Sequence, residues 1–190
     1  MLTSSLPPWY QRLTAFAHLT RINRPIGTYL VMWPTLWALF IAGEGLPQVK
    51  LILIFITGCF LMRSAGCVIN DFADRKIDGH VLRTQDRPLA TGRVTSKEAL
   101  VLFVLLLLLS FALTLLTNWQ TLALTPLGLL LAASYPFMKR YTHFPQVVLG
   151  MAFSWGIPMA FTAETTQLPK EVWLIFAANL AWTVAYDTMY

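Results

Sequence analysis

The stretch Asn70-Asp71-Phe72-Ala73-Asp74-Arg75-Lys76-Ile77-Asp78 sets carboxylates at offsets of three, four and seven residues, so on a helix they share one face. Like charges so spaced repel by ~0.2–0.5 kcal/mol per pair, and their clustering asks for a compensating cation. Magnesium suits the set, because it takes hard oxygen ligands: one or two carboxylates, waters and the oxygens of a substrate phosphate. The acidic face of Asp71, Asp74 and Asp78 can supply the protein's share of such a site. Pairing of the acids with Arg75 and Lys76 at a solvated membrane edge would account for the spacing equally well. What favours the metal is the company: Arg83, Asp86, Arg87 and Arg93 share the loop, a mixture able to grip a diphosphate and neutralise a leaving group.

Arg63 lies seven residues before Asn70, two helical turns deeper on the same face. There it either snorkels to the interface or faces the bundle interior, where it would hold an anionic substrate group or pair with an acid; the interior is favoured. Lys139 and Arg140, directly after Tyr135-Pro136-Phe137-Met138, and Arg21 with Arg24 add cations to this face. Retention of basic residues on the cytoplasmic side explains each of them alone. Other chemistries find no support: His18, His80 and His143 lack paired ligand spacing, and no nucleophile elbow, P-loop or dinucleotide fingerprint is present. Cys59 and Cys67, without a partner at metal-ligand spacing, read as packing residues.

The elements that position these residues are membrane helices. Of 190 residues 56% are hydrophobic and 12% charged, with mean hydropathy +0.59, too apolar for a soluble domain, in which roughly a quarter of residues are charged. Six apolar segments follow one another, at about Ile22–Ala42, Leu51–Ile69, Ala99–Thr117, Leu122–Met138, Val147–Ala163 and Val172–Tyr190. The expected fold is all-α, a polytopic transmembrane helix bundle forming one domain over residues 1–190. Residues 1–12 lack a signal-peptide pattern, so the first span does the targeting.

The net charge of +5 does not indicate nucleic acid, since the basic residues alternate with apolar segments instead of forming one stripe. They report topology. Arg12, Arg21, Arg24, Arg75, Lys76, Arg83, Arg87, Arg93, Lys97, Lys139 and Arg140 fall on one side, and only Lys50 and Lys170 on the other, which puts the N-terminus inside. Six spans return Asp187 to the face of the acidic loop. Trp9, Trp119 and Trp173 suit the interfacial belt; Trp33, Trp37 and Trp155 read as lipid contact or packing, and Pro34, Pro126, Pro136 and Pro158 as kinks.

Several motifs together resemble the UbiA-type membrane prenyltransferases, and among them the 4-hydroxybenzoate polyprenyltransferases of ubiquinone biosynthesis. They are Arg24-Pro25-Ile26-Gly27 with Trp33-Pro34-Thr35-Leu36-Trp37, then Arg63 to Asp78, Asp86-Arg87-Pro88-Leu89-Ala90-Thr91-Gly92, Tyr135 to Arg140, and Ala185-Tyr186-Asp187-Thr188. The resemblance covers essentially the whole chain. It implies nine transmembrane helices and two acidic motifs, so the chain is expected to be C-terminally incomplete, with Asp187 the forerunner of the second motif.

By that resemblance the expected activity is transfer of a polyprenyl group from polyprenyl diphosphate to the ring of 4-hydroxybenzoate, ortho to the hydroxyl, in the bacterial inner membrane. Asp71, Asp74 and Asp78 with Asn70 would hold Mg2+ on the diphosphate. Arg75, Arg87, Lys139 or Arg140 would neutralise the departing pyrophosphate, and Arg63 or Arg140 would hold the benzoate carboxylate. Arg24, Tyr135 and Asp187 join the substrate site on the same ground. Two alternatives stay open: a related prenyltransferase with another acceptor, or an anion transporter that performs no chemistry, against which three acids at helical spacing argue.

Overall fold

The computed structural model describes residues 7–138 and 141–189. Among these there is no strand. Eight α-helices follow in order: α1 Pro8–Leu19, α2 Ile26–Ala42, α3 Val49–Asp74, α4 Ser96–Thr114, α5 Trp119–Met138, α6 Pro145–Ser154, α7 Gly156–Thr165 and α8 Lys170–Met189. The segments Val49–Asp74, Ser96–Thr114, Trp119–Met138 and Pro145–Thr165 are long and apolar enough to cross a membrane, and Ile26–Ala42 is a shorter apolar helix. The all-α multi-pass fold is therefore as the sequence implies, with four departures in detail.

The first apolar segment starts later than expected, because Arg21 to Arg24 form a turn and α2 begins after Pro25. Its predecessor α1 is a separate helix. Ala15 and Leu19 of α1 are buried against Ala65 and Val68 of α3, Val94, and Ala99 and Leu106 of α4. Arg12 fixes this packing, donating to the Arg93 carbonyl at 3.0 Å and pairing with Glu98. Glu98 in turn closes the capping box that starts α4, where the Thr95 side chain accepts from the Glu98 amide.

The second segment runs on to Asp74, carrying Asn70, Asp71 and Asp74 inside α3. It stops there, so Asp78 lies not on the helix but in a separate 3-10 turn, Asp78–His80. The expectation of three acids on one helix face is thus corrected to two on a helix and one in a turn. The fifth segment is broken at Trp155. Pro158 has no N–H to donate to the Ser154 carbonyl four residues back, and its ring crowds that carbonyl.

A second core joins α2, α3 and α7 through Ala38, Leu39, Leu51, Ile54, Phe55, Ile157, Ala160 and Phe161, with Val172 of α8 against them. Gly156 allows this approach, since a Cβ there would collide with the Thr35 hydroxyl. In the leucine run of α4, Leu105 and Leu109 are exposed, as a lipid-facing surface requires, whereas Leu106 is buried and Leu108 lines the central cavity. Trp33 and Trp37 are also exposed.

The acidic mouth and its cavity

The C-terminal turns of α3, the α1–α2 turn and the loop before α4 meet at one end of the bundle. Asp71 is buried there, 1% exposed, and both its oxygens are taken by Arg21 Nη2, at 3.1 and 3.2 Å. Arg87 Nη1 stands between two carboxylates, 3.0 Å from Asp71 Oδ1 and 2.9 Å from Asp78 Oδ2. Asp78 is also buried, and its carbonyl accepts from the Thr84 hydroxyl at 3.0 Å. Two acids and two guanidiniums therefore form one chain, which offsets the cost of burying the charges: an unpaired buried carboxylate would be strongly destabilising.

This chain forms the mouth of a cavity of about 1580 Å³. Along α3 the lining extends from Asp71 to Ile54, ~25 Å at the rise of an α-helix, most of the thickness of a bilayer core. Arg24, Arg83, Asp86, Arg87 and Arg93 surround the mouth with Asn70, Tyr135 and Asp187. Below them the wall turns aromatic and aliphatic, with Phe55, Phe111, Phe153, Trp155 and Trp182. Trp155, expected to be lipid contact or packing, is instead a cavity wall, and its indole N–H donates to the Leu124 carbonyl at 2.9 Å. Gly128 leaves room for the ring, since a Cβ there would lie 2.5 Å from Trp155 Cδ1. Threonines of the wall spend their hydroxyls within their own helices: Thr114 donates to the Ser110 carbonyl and Thr125 to the Thr121 carbonyl, each one turn back.

Arg63 projects into this cavity from mid-helix, as its position demanded. Its Nη1 approaches Cys67 Sγ at 2.6 Å, and the guanidinium lies 5.8 Å from the Phe153 ring centroid. Nε is buried with no hydrogen-bond partner, an arrangement that leaves a cation with donor capacity to spare in an apolar wall. The α2 backbone is pressed against it: a Cβ on Gly27 would lie 2.5 Å from Arg63 Nη2. The glycine of Arg24-Pro25-Ile26-Gly27 is thereby explained by close approach.

The structure thus brings Asp71, Asn70, Arg63, Arg24, Arg87, Tyr135 and Asp187 to one cavity. Asp78 joins through Arg87. Arg75 does not join: it lies outside the lining, with Nη1 donating to the Phe72 carbonyl at 2.5 Å and the guanidinium 4.1 Å from the Phe72 ring centroid. Lys139 and Arg140 fall outside the described residues. Among the described residues no three His, Cys, Asp or Glu side chains come close enough to hold a metal ion by themselves. The donor set nevertheless suits magnesium, since two hard carboxylates already share one cationic nitrogen, and Mg2+ draws its remaining ligands from water and phosphate. Sequence reasoning missed Arg21 as the partner of Asp71, and Trp155 as a wall; only the turn and the helix break reveal them.

The model of the UbiA prenyltransferase family matches residues 31–190. The chain is 62% identical over 189 residues to a 4-hydroxybenzoate octaprenyltransferase of Pseudomonas syringae pv. tomato, covering 100% of this chain and 64% of that one. It is 65% identical over 181 residues to the protein of the same name from Stutzerimonas stutzeri, covering 95% and 61%. The chain thus spans less than two thirds of the length of these relatives. Its fold superposes on the apo structure of a UbiA homologue from Aeropyrum pernix K1 with TM-score 0.76 at 28% identity, over 88% of this chain and 63% of that one. A UbiA homologue from Archaeoglobus fulgidus bound to GPP and Mg2+ shares the fold with TM-score 0.73 at 16% identity, over 91% and 61%.

Proposed function

Since the chain belongs to the UbiA prenyltransferase family, we propose that its protein transfers a polyprenyl group from polyprenyl diphosphate to the ring carbon of 4-hydroxybenzoate ortho to the hydroxyl, in ubiquinone biosynthesis. The allylic C–O bond breaks, a C–C bond forms, the ring proton leaves and pyrophosphate is released. The observation that carries this reading is the joining of a buried acid–arginine mouth to a long apolar cavity: Asp71, Asp78, Arg21 and Arg87 stand where ~25 Å of aromatic and aliphatic wall begins. The acceptor is supported by the names of the relatives.

Asp71 and Asp78 would hold Mg2+, with Asp74 and Asn70 adjoining, and the ion when bound would offset the charge of the diphosphate. Arg87, Arg24 and Arg83 surround the same mouth and supply donors to the departing oxygens. Arg63 would take the acceptor carboxylate and so orient the ring, a reading supported by its place in the cavity wall and its unpartnered Nε. The faces of Phe153 and Trp155 suit an allylic carbon that becomes cationic, and the apolar wall keeps water from it. Residues 1–190 act as part of one membrane domain in a bacterial inner membrane, the acidic mouth and N-terminus on the cytoplasmic side, because the cations gather at that end and only Lys50 and Lys170 lie at the other.

The test is prenylation of labelled 4-hydroxybenzoate by membranes holding the protein at the length of its relatives, supplied with an octaprenyl diphosphate. The expected result is a lipid-soluble labelled product that requires magnesium. Product only from a different aromatic or quinone-precursor acceptor would refute the acceptor; no pyrophosphate release with any acceptor would refute transfer itself.

A further inference from the structure

Helix α1 ends in a turn that favours glycine. The Ile22 amide donates to the Ala17 carbonyl at 3.1 Å and the Arg21 amide to the His18 carbonyl at 3.3 Å, while Arg21 itself adopts φ 59°. This is the Schellman pattern, in which the left-handed position is usually glycine because a Cβ is disfavoured there. An arginine holds it here, and both terminal nitrogens of its side chain have partners. Nη1 turns back to the His18 carbonyl at 2.9 Å, and Nη2 spans both oxygens of Asp71. Backbone strain of this kind persists where the surrounding structure uses the side chain.

The consequence is that Asp71 faces two guanidiniums, Arg21 and Arg87, with no oxygen left over. We propose that Arg21 is a positioning residue that couples cation binding at Asp71 to diphosphate binding, by holding the carboxylate until an anion takes the guanidinium over. The inference rests on the reading that Asp71 and Asp78 bind a divalent cation together with a diphosphate. A bare cation approaching Asp71 meets two like charges and has to break the contacts of both guanidiniums with the carboxylate. A diphosphate gives both guanidiniums new acceptors and uncovers the carboxylate oxygens, so each ligand favours the other, and by linkage to the same degree.

Arg21→Gly tests this, because glycine is the preferred residue at that backbone position and Asp71 keeps Arg87 as a partner; a thermal melt of the variant in nanodiscs checks that it stays folded. Mn2+ binding would be followed by electron paramagnetic resonance on the full-length protein in lipid nanodiscs. Titrations would run with and without a non-reactive prenyl thiolodiphosphate, and empty nanodiscs would correct for chelation in solution. Wild type is expected to bind Mn2+ about tenfold more tightly when the analogue is present, whereas Arg21→Gly binds Mn2+ alone more tightly and loses most of that coupling. Arg21→Lys, which keeps the charge but has one nitrogen where arginine uses two to reach the His18 carbonyl and Asp71 together, should fall between them. Equal Mn2+ affinities and equal coupling in wild type and Arg21→Gly would overturn the proposal and leave the metal–diphosphate reading standing. Absence of Mn2+ binding in wild type even with the analogue would overturn that reading, and the proposal with it.

Discussion

The two ends of the bundle are both polar, yet they are built on opposite rules. At the far end the bonds that join the helices are made mostly by neutral groups. Asn118 donates to the Thr162 and Ala163 carbonyls at 2.6 and 3.2 Å, and its side-chain oxygen accepts from the Thr121 amide and hydroxyl, both at 2.9 Å. The Thr121 and Thr162 hydroxyls meet at 2.9 Å, and Lys50 closes the end of α4 by donating to the Leu116 carbonyl at 2.8 Å. Neutral amides and hydroxyls satisfied at short range staple α5 to α7, and Lys50 ties α3 to the end of α4. At the acidic mouth the partners are shared: one Arg87 nitrogen serves two carboxylates, and one carboxylate serves two arginines. Sharing of this kind leaves an ion-pair chain that an incoming cation and anion can take apart, each finding its complement. The far end is built to stay closed, and the mouth to be rearranged.

Four substitutions would sharpen or break that contrast. Asp71→Asn keeps shape and removes the charge that both arginines and the metal use. It should lower prenyl transfer about a hundredfold or more while the protein stays folded in the membrane, as judged by its thermal transition in detergent. Arg87→Gln leaves Asp71 and Asp78 short of a partner, with an expected loss of about 2–5 kcal/mol in stability. Added magnesium should restore part of it in a thermal melt, which no far-end variant should show. Asn118→Leu removes two donors and the α5 cap; about 1–3 kcal/mol of stability should go, with turnover per folded molecule unchanged. A large turnover defect there would break the division of labour. Gly27→Ala should displace the Arg63 guanidinium by the few tenths of an ångström to an ångström that a Cβ requires. The expected outcome is a higher KM for the aromatic acceptor, by about tenfold, with that for the prenyl diphosphate unaltered.

What the sequence made legible at the mouth was its chemistry. Asp71, Arg87 and Arg63 announce themselves because charge inside or beside an apolar segment is costly and rarely idle. The apolar segments likewise read as helices, since a bilayer leaves the backbone few other ways to satisfy itself. The connections were not legible. Periodicity placed Asp78 on the α3 face because nothing in residues 70–78 marks the stop at Asp74, and the stop depends on tertiary contacts of the turn with Arg87 and Thr84. From sequence Arg21 signals only topology, since its link to Asp71 crosses 50 residues and requires a left-handed backbone that arginine rarely adopts. Arg75 looked like a site residue by adjacency alone, yet the turn after α3 folds it onto Phe72. Trp155 carried no signal beyond being an indole within a span, and Pro158 marked a kink without telling which side chain the kink would present to the cavity.

The central claim is that the acidic mouth, and not the far end, handles a magnesium-bound diphosphate. Magnesium-dependent pyrophosphate release from a polyprenyl diphosphate in the presence of 4-hydroxybenzoate, compared between the wild-type full-length protein and its Asp71→Asn variant, tests it most directly. Release that rises with magnesium in wild type and is absent in the variant is the expected result. Release of equal rate in both, or release in wild type that persists after magnesium is chelated, would contradict the account.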